Sequence, residues 1–218
     1  MRERNPSLKS LFGTPKKRSS KLEIICTAYQ RSIPLTCQLW SFAAQTRLDF
    51  KVVVYHDGPN KEVEKAISIF KDSNDSFELE FRFTKTRHND YGHSLREIGL
   101  LQSTSPFILL TNDDNYYTPP FVEEMLGPLE RNEADVVYCD MVHSHKILDL
   151  PNPIGYQTLK TEPRLNRIDI GAFVFRAEIG KKVGFIDKSF AADGIFFESM
   201  LEVGANLKKI EKTLFVHN

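Results

Sequence analysis

The sequence predicts an α/β domain with a mixed, mainly parallel sheet flanked by helices, and two observations support this. Across about the first 130 residues, short apolar runs typical of buried strands alternate with segments whose apolar residues recur at helical spacing. The run 50–55 (FKVVVY) is almost wholly apolar, as expected of a parallel strand covered on both faces. Repeated strand–helix alternation implies right-handed crossovers that place helices on the faces of one sheet.

Each predicted helix and strand has its own pattern. Ser32 is a candidate N-cap for the first helix, with Pro34 in its first turn. Further helices are expected near 63–70, over 92–102 with Leu95, Ile98 and Leu101 inward, from Pro119 with Phe121, Val122, Met125 and Leu129 inward, and over 192–203. Strands are expected at 21–27, 50–55, 78–84, 106–111, 134–141, 169–176 and 213–216.

Composition limits the class of protein. The 218 residues are 41% hydrophobic and 27% charged, which is typical of a globular chain, and we expect a tail over 1–20 and a single domain over 21–218. The three cysteines include Cys26 and Cys139 inside apolar runs, which favours a reducing compartment and a cytoplasmic location, soluble or peripheral to a membrane. No apolar run approaches the roughly 18 residues of a membrane-spanning helix.

The tail is basic, although the net charge of the chain is zero. Residues 1–21 carry seven Lys and Arg against one Glu, so their net charge is 7 − 1 = +6. A solvated terminus is the simpler interpretation, contact with a membrane surface is the alternative, and we expect no nucleic-acid partner. The stretch 144–166 has no periodicity and contains three prolines, so it is expected to be a loop, and His143 and His145 are interpreted as loop residues.

A pair of carboxylates follows a predicted buried strand. In the run 110–115 (LTNDDN), Asp113 and Asp114 come directly after the strand, where open α/β sheets bind their ligands. Adjacent carboxylates repel each other, so they are either solvated or share a cation such as Mg²⁺ or Mn²⁺. The alternative is an Asp/Asn-rich turn in which Asn115 caps the next helix. The run alone leaves both possibilities open.

Six segments, in order along the chain, resemble those of a family-2-type glycosyltransferase of the GT-A fold. They are 24–31 (IICTAYQR), 42–46 (FAAQT), 53–58 (VVYHDG), 89–99 beginning with Asn-Asp-Tyr-Gly, 110–119 with its Asp-Asp-Asn, and 191–194 (AADG). Three positions depart from the pattern that this family commonly shows. His56 stands where an Asp is frequent, Ala192 stands where Glu often precedes the base, and 194–197 (GIFF) replaces a Trp-rich segment.

The resemblance implies an activity and a division of the domain. It implies metal-dependent, inverting transfer of a sugar from a nucleotide-diphosphate donor, by default a UDP-sugar, to a hydroxyl group. The acceptor would be a glycan, a glycolipid or a protein-linked sugar. Residues 21–118 would form the nucleotide-binding half of a Rossmann-like domain, and residues 119–218 the smaller acceptor and catalytic half.

The resemblance also implies roles for individual residues. Asp114 would bind Mn²⁺ or Mg²⁺, with His217 as a possible third ligand, and Asp113 would contact the ribose or the shell of the metal. Asp193 would be the general base, and the alternative for it is a helix N-cap. The nucleotide and its diphosphate would be held by Thr27, Tyr29, Arg31, Asp57 and Arg96.

Two other functions compete with this one. A nucleotidyltransferase could use a similar scaffold, but it would need a glycine-rich basic loop after the first strand, and the turn 27–31 (TAYQR) has no glycine. A non-catalytic domain that kept the fold to bind a sugar or a partner is the second alternative. The presence of Asp113, Asp114 and Asp193 argues against such a loss of catalysis.

Overall fold

The computed structural model describes residues 20–143 and 155–218. Residues 1–19 of the predicted tail, and His145, lie outside these ranges. The helices are α1 (Ser32–Ala43), α2 (Lys61–Ser73), α3 (His93–Gln102), α4 (Phe121–Glu130), α5 (Ala177–Val183) and α6 (Ala192–Glu202). The strands are β1 (Leu22–Ala28), β2 (Phe50–His56), β3 (Glu78–Phe83), β4 (Phe107–Asn112), β5 (Tyr116–Tyr117), β6 (Val136–His143), β7 (Gln157–Leu159), β8 (Phe173–Arg176) and β9 (Leu207–His217).

The strands of the described residues join into one mixed sheet. Its order is β3-β2-β1-β4-β8-β6-β9-β5, and β7 pairs with β6. The four strands β3, β2, β1 and β4 are mutually parallel, β8 runs antiparallel to β4 and β6, and β6 and β9 are parallel to each other. This arrangement confirms the predicted fold class.

The register of the parallel strands brings three loops together. Thr27 of β1 pairs with Tyr55 of β2 on one side and with Asn112 of β4 on the other. The turns after β1, β2 and β4 therefore open at the same edge of the sheet. This is the edge where open α/β sheets bind ligands.

The core confirms most of the predicted apolar faces. All seven residues of β1 are buried, as expected of a central strand, and α4 buries Phe121, Val122, Met125 and Leu129 completely. Cys26 and Cys139 are buried too, and the Cys26 thiol donates to Gln38 Oε1 at 3.1 Å. No helix in the described residues combines the length and the apolar character that crossing a bilayer requires.

Two predictions about helix α1 and helix α3 were wrong. The N-cap of α1 is Arg31, not Ser32, and the Ser32 hydroxyl instead donates to Glu62 at 2.7 Å. In α3, Leu101 is 61% exposed while Leu100 is fully buried. The face of α3 that carries Gly99 packs directly against the sheet, because a Cβ at this position would lie only 2.6 Å from Ile25 Cγ2.

The predicted ends of the last strands also needed correction. The strand predicted over 169–176 begins only at Phe173, because the Asp169 side chain accepts from the Gly171 N–H at 2.8 Å and supports a short 3₁₀ turn over Ile170–Ala172. The last strand is longer than 213–216 and starts at Leu207, since its polar first half still pairs with β6.

Candidate active site

A cleft of about 1210 Å³ opens at the edge where β1, β2 and β4 end. Its walls bring together six residues predicted from the sequence: Thr27, Tyr29, Arg31, Asp57, Arg96 and Asp193. Asp113 and Asp114 do not line the cleft, and Arg31 connects both of them to it. His217 also lines it, at the end of β9.

Asp113 lies in the turn that follows β4 and is fully buried. Its backbone N–H donates to the Thr27 carbonyl at 3.1 Å, and its Oδ2 accepts from the Tyr29 N–H at 3.0 Å. Burial raises the pKa of Asp113 to about 7, even though the nearby Arg31 guanidinium opposes this rise. The carboxylate therefore joins the ends of β1 and β4, and a further cation beside it would favour its ionised form.

Asn115 does not cap a helix, as the alternative interpretation of this run required. It is fully buried, its amide donates to Thr111 Oγ1 at 3.3 Å, and the residues that follow it form the short strand β5. The turn lies between strands β4 and β5, which hold its backbone on both sides.

Arg31 supplies a cation to both carboxylates. Its Nη2 lies 2.8 Å from Asp113 Oδ1, and its Nη1 contacts Asp114 Oδ2. The Arg31 side chain is 48% exposed, whereas that of Asp114 is 14% exposed. One guanidinium thus bridges a buried and a nearly buried carboxylate from the solvent side of the cleft.

The chemistry of the carboxylate pair fits a hard divalent cation. Mg²⁺ and Mn²⁺ commonly take one or two protein carboxylates and complete their shell with phosphate oxygens and water. In the part of the chain that the structure describes, no three His, Cys, Asp or Glu side chains converge as a ready metal site. A cation on Asp113 and Asp114 would therefore draw its other ligands from a bound diphosphate and water.

Tyr29 and Asp57 face the cleft next to a loop that the sequence did not single out. Asp57 accepts from the backbone N–H groups of His88 at 2.7 Å and Asn89 at 3.0 Å, so it anchors this loop. The same loop places the Arg87 guanidinium carbon 3.7 Å from the centre of the Tyr29 ring. A lone loop arginine carries no sequence signal, and only the fold brings it against Tyr29.

His56 has a structural task at the position where the family often has Asp. It is buried, its Nδ1 lies 2.6 Å from the Gly58 carbonyl, and its Nε2 accepts from the Gln30 N–H at 3.1 Å. Gln30 has a φ of 59°, which is uncommon for a residue with a side chain. His56 thus stabilises the strained turn from which Tyr29 and Arg31 project.

Arg96 is buried between the carboxylate turn and the first turn of α6. Its Nη2 donates to Asn112 Oδ1 at 2.5 Å, and its Nη1 donates to the Tyr91 carbonyl at 3.3 Å and lies 3.7 Å from Asp193 Oδ1. The contact predicted between Arg96 and a diphosphate stays a prediction. The structure adds that Arg96 bonds to the end of β4 at Asn112 and forms a longer ion pair with Asp193.

Asp193 is not the N-cap of α6, which excludes the structural alternative for this residue. The N-cap is Ala191, without any side-chain capping bond, and Asp193 is the second residue of the helix. Its side chain is 25% exposed and lines the cleft. A carboxylate here is reachable by a hydroxyl group of a bound molecule.

A second carboxylate in this part of the cleft was missed from the sequence. Asp169 Oδ2 lies 3.2 Å from His217 Nε2, and His217 stacks on His143 with 4.5 Å between ring centres. Burial and then the charge of Asp193 raise the pKa of Asp169 to about 7.

His143 is the last residue of β6 and lines the wall of the cleft, so its interpretation as a loop residue was wrong. The role of His217 as a metal ligand stays a prediction.

A model of the family described as glycosyl transferase family 2 matches residues 23–175, which is more than half of the chain. The chain belongs to glycosyl transferase family 2. This confirms the resemblance drawn from the six sequence segments. The matched range contains both carboxylates of the Asp113–Asp114 pair, and Asp193 lies beyond it.

A similar sequence and two similar solved structures are also named as glycosyltransferases or share this fold. The uncharacterized glycosyltransferase YwdF of Bacillus subtilis (strain 168) is 26% identical over 121 residues, which are 55% of this chain and 41% of that protein. The crystal structure of S. aureus TarS 1-349 has a TM-score of 0.72 at 19% identity over 91% of this chain and 60% of that chain. A mannosyltransferase, PcManGT from Pyrobaculum calidifontis, in complex with GDP-Man and Mn²⁺, has a TM-score of 0.72 at 14% identity over 90% of this chain and 56% of that chain.

These neighbours confirm the GT-A fold of this family-2 chain. The chain spans less than two thirds of the length of YwdF, TarS 1-349 and PcManGT. Their activities and ligands are therefore properties of longer proteins, and for this chain they support proposals.

Proposed function

We propose that this chain is a metal-dependent, inverting glycosyltransferase that moves a sugar from a nucleotide-diphosphate donor to a hydroxyl acceptor. One observation carries the proposal. The Asp193 carboxylate shares a single cleft with Thr27, Tyr29 and Asp57, and Arg96 lies 3.7 Å from it. A nucleotide held on one wall would present its sugar to a carboxylate on the other.

Residues 21–118 form the nucleotide-binding half in this proposal. Tyr29 offers an aromatic face to the base, and Asp57 holds the loop that carries Arg87 beside that face. Structures of TarS in complex with UDP-GlcNAc and of PcManGT with GDP-Man support a nucleotide-sugar donor. UDP remains our first choice of nucleotide for the donor.

Asp114 is the proposed direct ligand of Mn²⁺ or Mg²⁺, and Asp113 is the supporting contact. When bound, the cation would neutralise negative charge on the departing diphosphate. Asp113 suits its role because its Oδ2 is fixed by the Tyr29 N–H, which leaves Oδ1 to face the cation. The complex of PcManGT with Mn²⁺ supports a divalent metal in this fold.

Residues 119–218 supply the acceptor side and the proposed general base, Asp193. As the acceptor oxygen bonds to the anomeric carbon, its proton passes to Asp193, and the bond from that carbon to the diphosphate oxygen breaks. Attack from the face opposite the diphosphate inverts the anomeric configuration. The acceptor is a glycan, glycolipid or protein-linked sugar, and the buried thiols of Cys26 and Cys139 support a cytoplasmic site.

A donor screen tests this function. The chain is incubated with UDP- and GDP-sugars, Mn²⁺ or Mg²⁺ and simple glycoside acceptors, and release of nucleoside diphosphate is measured. We expect release that depends on both acceptor and metal. Release from no donor, with or without metal, would refute the proposed transferase activity.

Thermal melting separates the transferase from the non-catalytic alternative. Saturation with nucleoside diphosphate and Mn²⁺ at 100 times Kd should add about 2.7 kcal/mol of stability, or roughly 5–11 °C in Tm for a chain of this size. A non-catalytic domain would show this shift and release nothing. A nucleotidyltransferase would instead form pyrophosphate from a nucleoside triphosphate.

A further inference from the structure

Arg31 holds the two carboxylates that the proposed metal would need. Its guanidinium spreads across two side chains, with Nη2 at 2.8 Å from Asp113 Oδ1 and Nη1 on Asp114 Oδ2. A divalent cation prefers these same hard carboxylate oxygens. Two cations repel each other at such short range, so a divalent cation at Asp113 Oδ1 and Asp114 Oδ2 would compete with the guanidinium that now contacts these oxygens.

The surroundings of Arg31 allow it to leave. Its side chain is 48% exposed, and in the described residues its guanidinium bonds only to the two carboxylates. Its backbone position is fixed independently, since the Arg31 carbonyl accepts from the Leu35 N–H at 3.1 Å in the first turn of α1. Rotation of the side chain would therefore break no contact with the core.

The carboxylates differ in how firmly they are held. Asp113 is fully buried, and its Oδ2 accepts from the Tyr29 N–H at 3.0 Å, a bond that does not involve Arg31. The Asp114 side chain is 14% exposed, and its carboxylate contacts the Arg31 guanidinium. The oxygen that Arg31 would release most easily is thus on Asp114, the residue proposed to bind the metal.

We propose that Arg31 is an exchangeable counter-cation, which neutralises the Asp113–Asp114 pair in the absence of metal and moves to the diphosphate of the nucleotide when a divalent cation takes its place. This inference rests on the proposed function. Arg31 suits both positions, because a guanidinium forks onto carboxylate and phosphate oxygens alike. It lies two residues after Tyr29 in the turn that borders the nucleotide wall of the cleft.

The exchange makes metal and nucleotide help each other to bind. Metal alone must displace Arg31 into water, whereas metal with a nucleoside diphosphate gives the released guanidinium a new partner. By linkage, each ligand then raises the affinity for the other by the same factor, commonly about 5–150-fold. A site with no internal cation would bind the metal alone more tightly and would show less of this coupling.

Calorimetric titration of Arg31→Gln with MnCl₂ alone, and then with UDP or GDP at saturating Mn²⁺, tests the exchange. We expect Mn²⁺ alone to bind the variant at least about fivefold more tightly than the wild type, and the nucleotide to bind it at least about fivefold more weakly. Arg131→Gln is the matched control. Arg131 is also an exposed arginine paired with a carboxylate, Glu133, and its loss should leave Mn²⁺ affinity unchanged.

The outcomes separate this inference from the proposed function. Equal or weaker binding of Mn²⁺ to Arg31→Gln would overturn the exchange. Tighter Mn²⁺ binding to the variant, with no nucleotide bound by either protein, would support displacement of Arg31 and refute the proposed function. If Arg31→Gln does not fold, Arg31→Lys and the wild type are compared instead. The Mn²⁺ affinity of both proteins must rise when UDP or GDP is present, and an unchanged Mn²⁺ affinity would overturn the inference.

Discussion

Replacement of Asp193 by Asn separates a catalytic role from a structural one. The change removes the basic oxygen and keeps the size of the side chain. A positioned general base contributes roughly 10²–10⁴-fold to a rate, so we expect kcat to fall by that factor, or about 3–5 kcal/mol of activation free energy. Because Asp193 lies on the acceptor side of the cleft, the Kd of the nucleotide with Mn²⁺ should stay within about twofold.

The expected effect on folding is small, and the structure gives the reason. Asp193 makes no capping bond, since the N-cap is Ala191. What Asn loses is a favourable charge in the first turn of α6, commonly about 0.3–1 kcal/mol, and an ion pair at 3.7 Å with Arg96, which is buried but keeps its hydrogen bonds to Asn112 and Tyr91. We therefore expect the free energy of unfolding to fall by about 1–2 kcal/mol, measured by urea denaturation.

Two measurements decide the question together. Single-turnover transfer reports the chemical step, and the urea midpoint reports folding. Asp187→Asn is the matched control, because Asp187 is an exposed carboxylate that bonds to the Ser189 N–H before the same helix and lies outside the cleft. Turnover of Asp193→Asn within tenfold of the wild type, at unchanged donor affinity, would refute the assignment of the base.

Three further changes test the scaffold around the site. Asp57→Asn replaces one of the two carboxylate oxygens that accept from the backbone of residues 88 and 89 by an NH₂ group. The hydrogen exchange of these two amides, measured by NMR, should become at least about tenfold faster, and equal exchange rates would contradict the anchoring role. Gly99→Ala would place a Cβ 2.6 Å from Ile25 Cγ2, and urea denaturation should show a loss of about 1–2 kcal/mol after the gain in helix propensity. Hydrogen bonds from Arg47 lower the pKa of Glu130 to about 2, so Glu130→Gln should lower the free energy of unfolding by about 1 kcal/mol at pH 7. This loss should shrink as the pH falls from about 4.5 to 2, because Glu130 becomes protonated, and a loss of the same size at pH 2 would refute the argument.

The order of strands and helices was predictable because most elements carry a local signal. The apolar runs of β1, β2 and β4 and the helical spacing of α4 identified those elements within a residue or two. The errors arose where contacts across the fold decide the structure. The face of α3 that carries Gly99 packs against the sheet while Leu101 faces solvent, and the Asp169 side chain replaced the predicted start of a strand by a 3₁₀ turn.

Residues of the candidate site were predictable where they belong to a recognisable segment. Asp57 and the Asp113–Asp114 pair follow strands in such segments, whereas Arg96 and Asp193 belong to segments that form helices α3 and α6. Arg87 and Asp169 were not predictable, because nothing in their own sequence neighbours indicates that they meet Tyr29 and His217. Such residues are found from the fold, since their partners lie far away in the chain.

The charges around the cleft explain why metal and nucleotide should bind together. Asp113 and Asp114 share the Arg31 guanidinium, and Asp193 lies 3.7 Å from Arg96. Burial raises the pKa of both Asp113 and Asp169 to about 7, so further negative charge beside them is unfavourable. A diphosphate alone would add further negative charge, and a divalent cation alone would compete with Arg31. When both bind, the cation neutralises the Asp113–Asp114 pair and the released Arg31 pairs with the diphosphate. We therefore expect the affinity for nucleoside diphosphate to depend on the metal. An affinity that is the same with and without metal would refute this account of the charges.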